Sequence, residues 1–256
     1  MSDVPAFLIP VLIVVLSLIE GSFLTALIHR LYTGVSIVWG RSACPHCRHV
    51  LNPADLVPLL SYLALRGRCR YCRKPIRWTY PAIEAAVLIA NLGLFLRFGM
   101  SATFIFDAVV TGFLIVIFVY DQQHQLILDR VALPGAAIAL LGHLLLGRSL
   151  FELLLGGILG AGFFLVQYVV SRGRWIGGGD IRLGLLMGFA LGWPHILVAL
   201  FGAYVLGATV SVGLILTRRV RWTSMVPFGT FLSVATYLTM IAGGPILDWY
   251  RSLLTI

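Results

Sequence analysis

A chain of 256 residues that is 59% hydrophobic and only 11% charged, with a mean hydropathy of +0.96, is not an ordinary soluble domain. Its net charge of +9 does not call for a nucleic-acid partner, because basic loops are where membrane topology and anionic inner-leaflet lipid would place them. What remains is an all-α chain that crosses a bilayer several times.

A helix needs roughly 17 to 25 apolar residues to cross a ~30 Å hydrocarbon core. The first such stretch, residues 4–28, carries Glu20 in its interior. No basic region precedes it and it continues to Ile28 before His29-Arg30, so it reads as a retained helix and not a signal peptide. Residues 29–80 break the pattern with all four cysteines, nine of the nineteen Lys and Arg residues, and many turn-forming Pro and Gly residues. From residue 81 apolar stretches resume at 81–97, 103–120, 131–147, 150–171, 197–217 and 225–243, with a shorter one at 181–196 closed by Trp193-Pro194. Glycines inside 156–162 and 202–213 suit close helix–helix packing. The expected plan is therefore a first transmembrane helix in 1–28, a small domain in 29–80 and a helical bundle in 81–256, with about eight crossings.

Orientation follows from the basic residues, since short loops rich in Lys and Arg stay cytoplasmic. With 29–80 inside and eight crossings, only Arg97, Arg148 and Arg251 fall outside, while the other sixteen of nineteen fall inside. That asymmetry requires 181–196 to cross. If it merely dipped in, the basic run at 217–221 would move to the wrong side.

Cys44-Pro-His-Cys47 and Cys69-Arg-Tyr-Cys72 are two C-x-x-C knuckles separated by twenty-one residues, close to zinc-ribbon spacing. Four thiolates close a tetrahedral Zn²⁺ site and leave no open position, so the expected role is structural. A segment this small lacks the core to fold well alone, and metal binding supplies folding free energy. A redox-active thiol pair and disulfides are the competing readings; a cytoplasmic location disfavours the latter. His46 and His49 stand near enough to substitute as ligands, but four cysteines make them outlying.

Ten acidic residues include Asp180, which follows Gly177-Gly178-Gly179 at the start of the short sixth stretch. An aspartate beside a bilayer calls for a partner. The third stretch runs outside to inside and delivers Asp121 to the same edge, so two carboxyls meet on one plane. Such a pair suits aspartyl proteolysis, in which like charges push two pKa values apart and one acid is ionised while the other is protonated. The glycines would let an extended substrate backbone approach. Alternatives stay open: Asp180 as an ordinary helix cap, Asp129 as the partner, and a proton-relaying transporter. Glu20 is a stronger functional candidate than Glu84, while Asp107 and Glu152 look structural.

"GSFLTALIHRL", the two knuckles, "SYLALRGRCRYC", "RWTYPAIE", the Asp121 to Pro134 run, "GGGDIRLG" and "VPFG" follow one another between about residues 20 and 235. Their order resembles that of type IV prepilin peptidases, which are G-x-G-D aspartyl proteases. The resemblance implies a multi-pass enzyme of the bacterial inner membrane. It would cleave the leader of type IV prepilins and type II secretion pseudopilins after a glycine on the cytoplasmic side, then N-methylate the new terminus with S-adenosylmethionine. It places the catalytic aspartates on Asp121 and Asp180 and the zinc cysteines on Cys44, Cys47, Cys69 and Cys72, and it makes pilus or secretion machinery a natural partner. Leu128, Thr25 and Arg182 depart from the family's usual proline, asparagine and lysine.

Overall fold

The computed structural model describes residues 7–36, 39–218 and 226–254; the start of the first predicted stretch, Arg219, Arg221 and Met225 lie outside the described residues. Two compact units divide between Leu96 and Arg97. Among the described residues there is no β-strand beyond two isolated bridges, and the fold is helical.

The first unit contains helix α1 (Leu8–Thr33), a 3₁₀ turn (Pro53–Asp55), the short α2 (Leu60–Ala64) and α3 (Thr79–Phe98), which ends just past the unit boundary. α1 runs beyond Ile28 because His29, Arg30 and Tyr32 continue the helix as it leaves the apolar layer, and Gly34 stops it at φ 71°. α1 and α3 meet at Gly21, where an added Cβ would lie 2.8 Å from Glu84 Cα.

The second unit contains α4 (Ala102–His124), α5 (Asp129–Leu145), α6 (Leu150–Ser171), α7 (Gly178–Leu191), α8 (His195–Leu216) and α9 (Phe228–Leu254). α7 is its axis, packed against α5, α6, α8 and α9, with Leu183, Leu186 and Met187 fully buried. Gly156 and Gly160 of α6 face Gly188 and Gly184 of α7 so closely that a Cβ at Gly160 would strike the Gly184 carbonyl, and one at Gly188 the Gly156 carbonyl. Pairs of glycines four apart on both helices permit this backbone contact, the small-residue packing of membrane helices.

Six helices, α1, α3, α4, α6, α8 and α9, are long and apolar enough to cross a membrane. α5 and α7 have 17 and 14 residues. At 1.5 Å per residue α7 covers about 21 Å, less than a ~30 Å core. α9 continues to Leu254, past the expected end at 243, because Pro245 interrupts the helix without ending it.

Gly188→Ala should lower the stability of the detergent-solubilised protein by about 1–3 kcal/mol, the usual cost of overpacking, while Gly162→Ala, whose Cβ meets nothing within 4 Å, should leave its melting temperature unchanged.

Candidate active site and metal centre

Asp121 occupies the last full turn of α4, which ends when Gln125 turns left-handed at φ 52° and donates its N–H back to the Asp121 carbonyl at 2.7 Å. Its side chain is 5% exposed. Oδ2 accepts the Thr230 N–H at 2.9 Å and the Thr230 hydroxyl at 3.3 Å, and the Gly229 N–H also serves this carboxyl. These donors are the free N–H groups of the first turn of α9, where a helix dipole favours negative charge.

Asp180 lies in the first turn of α7 and is 7% exposed. Its Oδ2 accepts the Gly177 N–H at 3.0 Å. Arg182 fixes the glycine run from the next turn: it donates to the Gly178 carbonyl at 3.1 Å and pairs with Asp129 at 2.9 Å. Asp129 is therefore occupied by a guanidinium, and it is Asp121 whose charge acts on Asp180. Two buried acids from α4 and α7 thus share one site, each held by backbone donors at a helix N-terminus.

The three glycines play different parts. A Cβ at Gly177 or Gly178 would meet only ordinary contacts, at 3.7 and 3.6 Å, whereas one at Gly179 would fall 2.8 Å from Ile127 Cβ. Gly179 is thus glycine because of an internal neighbour. Gly229 closes the "VPFG" motif, but Ile127 and Thr230 carry no sequence signal of their own, being one branched side chain and one hydroxyl in apolar runs.

The cysteine sulfurs of Cys44, Cys47, Cys69 and Cys72 all lie within 4.8 Å of one another, with Cys44 and Cys72 at 3.9 Å, and none forms a disulfide. Four thiolates around one tetrahedral ion at Zn–S ~2.3 Å would sit ~3.8 Å apart, so the set fits a metal ion. The two knuckles are built alike. Cys44 N–H bonds to the His49 carbonyl and Cys69 N–H to the Lys74 carbonyl, both at 2.9 Å, and Arg48 and Arg73 turn left-handed at φ 57° and 58°. Burial works against the Cys44 thiolate, but the Cys47 and His46 backbone bonds and the neighbouring thiols outweigh it and lower this group to about 7. At Cys72 the Lys74 backbone bond favours the thiolate, yet burial and the other three sulfurs push it up to about 11.

Two further carboxyls tie this unit together. Asp55 accepts from Arg70 at 2.6 Å, Tyr71 at 3.1 Å and its own turn at Asn52, while Glu84 on α3 accepts the Leu59 N–H at 2.8 Å. His49 lies against the Tyr71 ring, with centroids 3.6 Å apart, and takes no part in the sulfur cluster. Within α1 and α3, Asn91 donates to Glu20 at 2.8 Å and to Ser17 at 3.2 Å. In the second unit Asp107 pairs with His143 at 2.9 Å, well buried.

Residues 15–98 match the model of the Bacterial Peptidase A24 N-terminal domain, and residues 108–212 match that of the Type IV leader peptidase family. A Prepilin leader peptidase/N-methyltransferase from Bacillus subtilis (strain 168) is 34% identical over 92% of this chain and 95% of its own. The chain belongs to the type IV leader peptidase family. Proteins of the same name from Burkholderia pseudomallei (strain 1026b) and Aeromonas hydrophila are 33% and 28% identical, over 91% and 93% of this chain and 85% and 92% of theirs. No solved structure matches. The leader-peptidase region contains both buried acids, and the A24 N-terminal region contains the knuckles.

Burial opposes the charge of Asp55, but the Arg70 hydrogen bond, with those of Asn52 and Tyr71, holds its carboxyl below the ordinary range. A depressed folded value stabilises above the unfolded pKa of ~3.9 and is lost as pH falls through the folded one. Asp55→Asn should therefore raise amide exchange across residues 52–72 at neutral pH, with wild type and variant converging at strongly acid pH.

Proposed function

We propose that this chain is a membrane aspartyl endopeptidase that removes the leader peptides of type IV prepilins and type II secretion pseudopilins at the cytoplasmic face, using Asp121 and Asp180. It then N-methylates the new amino terminus with S-adenosylmethionine as methyl donor. The observation that supports the reading is that two buried carboxyls, each accepting backbone N–H bonds at a helix start, lie near enough for the charge of one to act on the other, in a member of the leader peptidase family. One carboxyl, ionised, takes a proton from a water that attacks the scissile carbonyl, and the other, protonated, delivers its proton to the departing amine. The pair titrates as a unit, so neither residue has a fixed half of the task. Backbone N–H groups from Gly177 and Thr230 hold the carboxyls in place without a rotamer of their own.

Cys44, Cys47, Cys69 and Cys72 hold a structural Zn²⁺, which organises the domain spanning residues 29–80 and leaves no coordination position for chemistry. The bacterial inner membrane is the site of action. Eight crossings, with α5 and α7 among them, put the acid pair and the knuckles on the cytoplasmic side by the distribution of Lys and Arg. A prepilin offers a basic leader followed by an apolar helix, so its scissile bond lies at that interface, and lipid, pilus and secretion components are the surroundings.

Asp121→Asn and Asp180→Asn are each expected to reduce prepilin cleavage by at least about 10³-fold, the scale set by removing a member of an acid–base pair, while both variants remain folded in membranes. Mass analysis of a prepilin incubated with purified protein and S-adenosylmethionine reads cleavage and methylation together; full cleavage by either variant overturns the assignment. Metal analysis should find one zinc ion per chain, with loss in Cys44→Ser and Cys72→Ser. A metal-free, fully active chain would exclude the zinc centre.

A further inference from the structure

Ile127 lies in the connection between α4 and α5, in the loop that follows Asp121, and is 8% exposed. Its Cβ stands 2.8 Å from where a Cβ on Gly179 would be, and its Cδ1 stands 2.9 Å from where one on Gly229 would be. Gly179 is the residue before Asp180. Gly229 is in direct contact with Asp121, since a Cβ there would also lie 3.0 Å from Asp121 Oδ2, and it precedes Thr230, whose N–H and hydroxyl hold that oxygen. One side chain thus bears on both stretches of backbone that present the acids.

We infer that Ile127 is a positioning residue for leader cleavage: a spacer between the start of α7 and the start of α9 that sets the separation of the Asp121 and Asp180 carboxyls. The inference rests on reading those two acids as the catalytic pair. A β-branched side chain is stiff at χ1, and glycine on both sides means that it presses directly on backbone, with no intervening rotamer to absorb a displacement. Since Asp121 Oδ2 is held by the first turn of α9 and Asp180 Oδ2 by the residues opening α7, a shift of either helix start carries its carboxyl with it. Misplacement of reacting groups by about 1 Å can cost 10²-fold in rate.

Three substitutions grade the contact. Ile127→Leu keeps a δ-carbon, Ile127→Val removes the one reaching Gly229, and Ile127→Ala removes the γ-carbons as well. Cleavage of a prepilin peptide by the purified full chain should be within about 3-fold of wild type for Leu, reduced several-fold for Val and about 10- to 100-fold for Ala. The loss is expected in kcat with KM unchanged, and the variants should bind an uncleavable analogue of that peptide at wild-type stoichiometry. A merely structural role predicts lost binding stoichiometry and a lowered melting temperature in proportion to lost activity. Either that pattern, or an Ala variant with wild-type kcat, overturns the inference while leaving the peptidase reading intact. A wild-type chain that cleaves no prepilin overturns the peptidase reading and the spacer role with it.

Discussion

Hydrogen bonds from helix N-termini to two buried carboxylates are the interaction on which this architecture depends. Removing a carboxylate from water costs several kcal/mol even after relaxation, and bonds from N–H groups to a charged acceptor return about 1.5–3 kcal/mol each. Thr230 and Gly229 at the start of α9 supply this to Asp121, and Gly177 at the start of α7 supplies it to Asp180. A helix N-terminus offers backbone donors that have no partner within the helix. The acids therefore sit where the fold has unsatisfied N–H groups to offer.

Placing two helix starts around one site constrains the remaining helices. α7 must begin beside the end of α4 and also lie deep in the bundle, which explains both its 14-residue length and its burial on several sides. Such a short helix is held by backbone proximity, through the glycine pairs shared with α6. At the other end of α7 His143, paired through Nε2 with the buried Asp107, donates its Nδ1–H to the Phe189 carbonyl at 3.2 Å, and Arg148 donates to the Leu191 carbonyl at 3.2 Å. Both ends of α7 are thus tied by polar contacts, and its middle by packing.

The first unit solves a different problem, that of ordering a segment too short to build a buried core, in which Cys44 and Cys69 are the buried residues between 39 and 78. Its sulfur cluster is reinforced by Asp55, which joins the linker between the knuckles to Arg70 and Tyr71 in the second knuckle, and by Glu84, which fastens the Leu59 turn to α3. Ion pairing and a set of four sulfurs fit to hold a metal ion take the place of a hydrophobic core there.

By itself, the amino-acid sequence determined the helical membrane class, the paired C-x-x-C spacing and the expectation that Asp121 and Asp180 share one edge, because hydropathy, C-x-x-C spacing and the sign of loop charge are local properties readable one segment at a time. Helix ends were less legible: Thr33 and Leu254 extend past the apolar stretches because hydrogen bonding in a helix continues where hydropathy does not. Only the tertiary structure decided that Asp129 is claimed by Arg182, that Thr230 donates to an acid 109 positions away, and that Gly179 and Gly229 are small to admit Ile127. Those facts depend on distances between segments remote in the chain, and a residue's own chemistry carries no record of which neighbour will press against it.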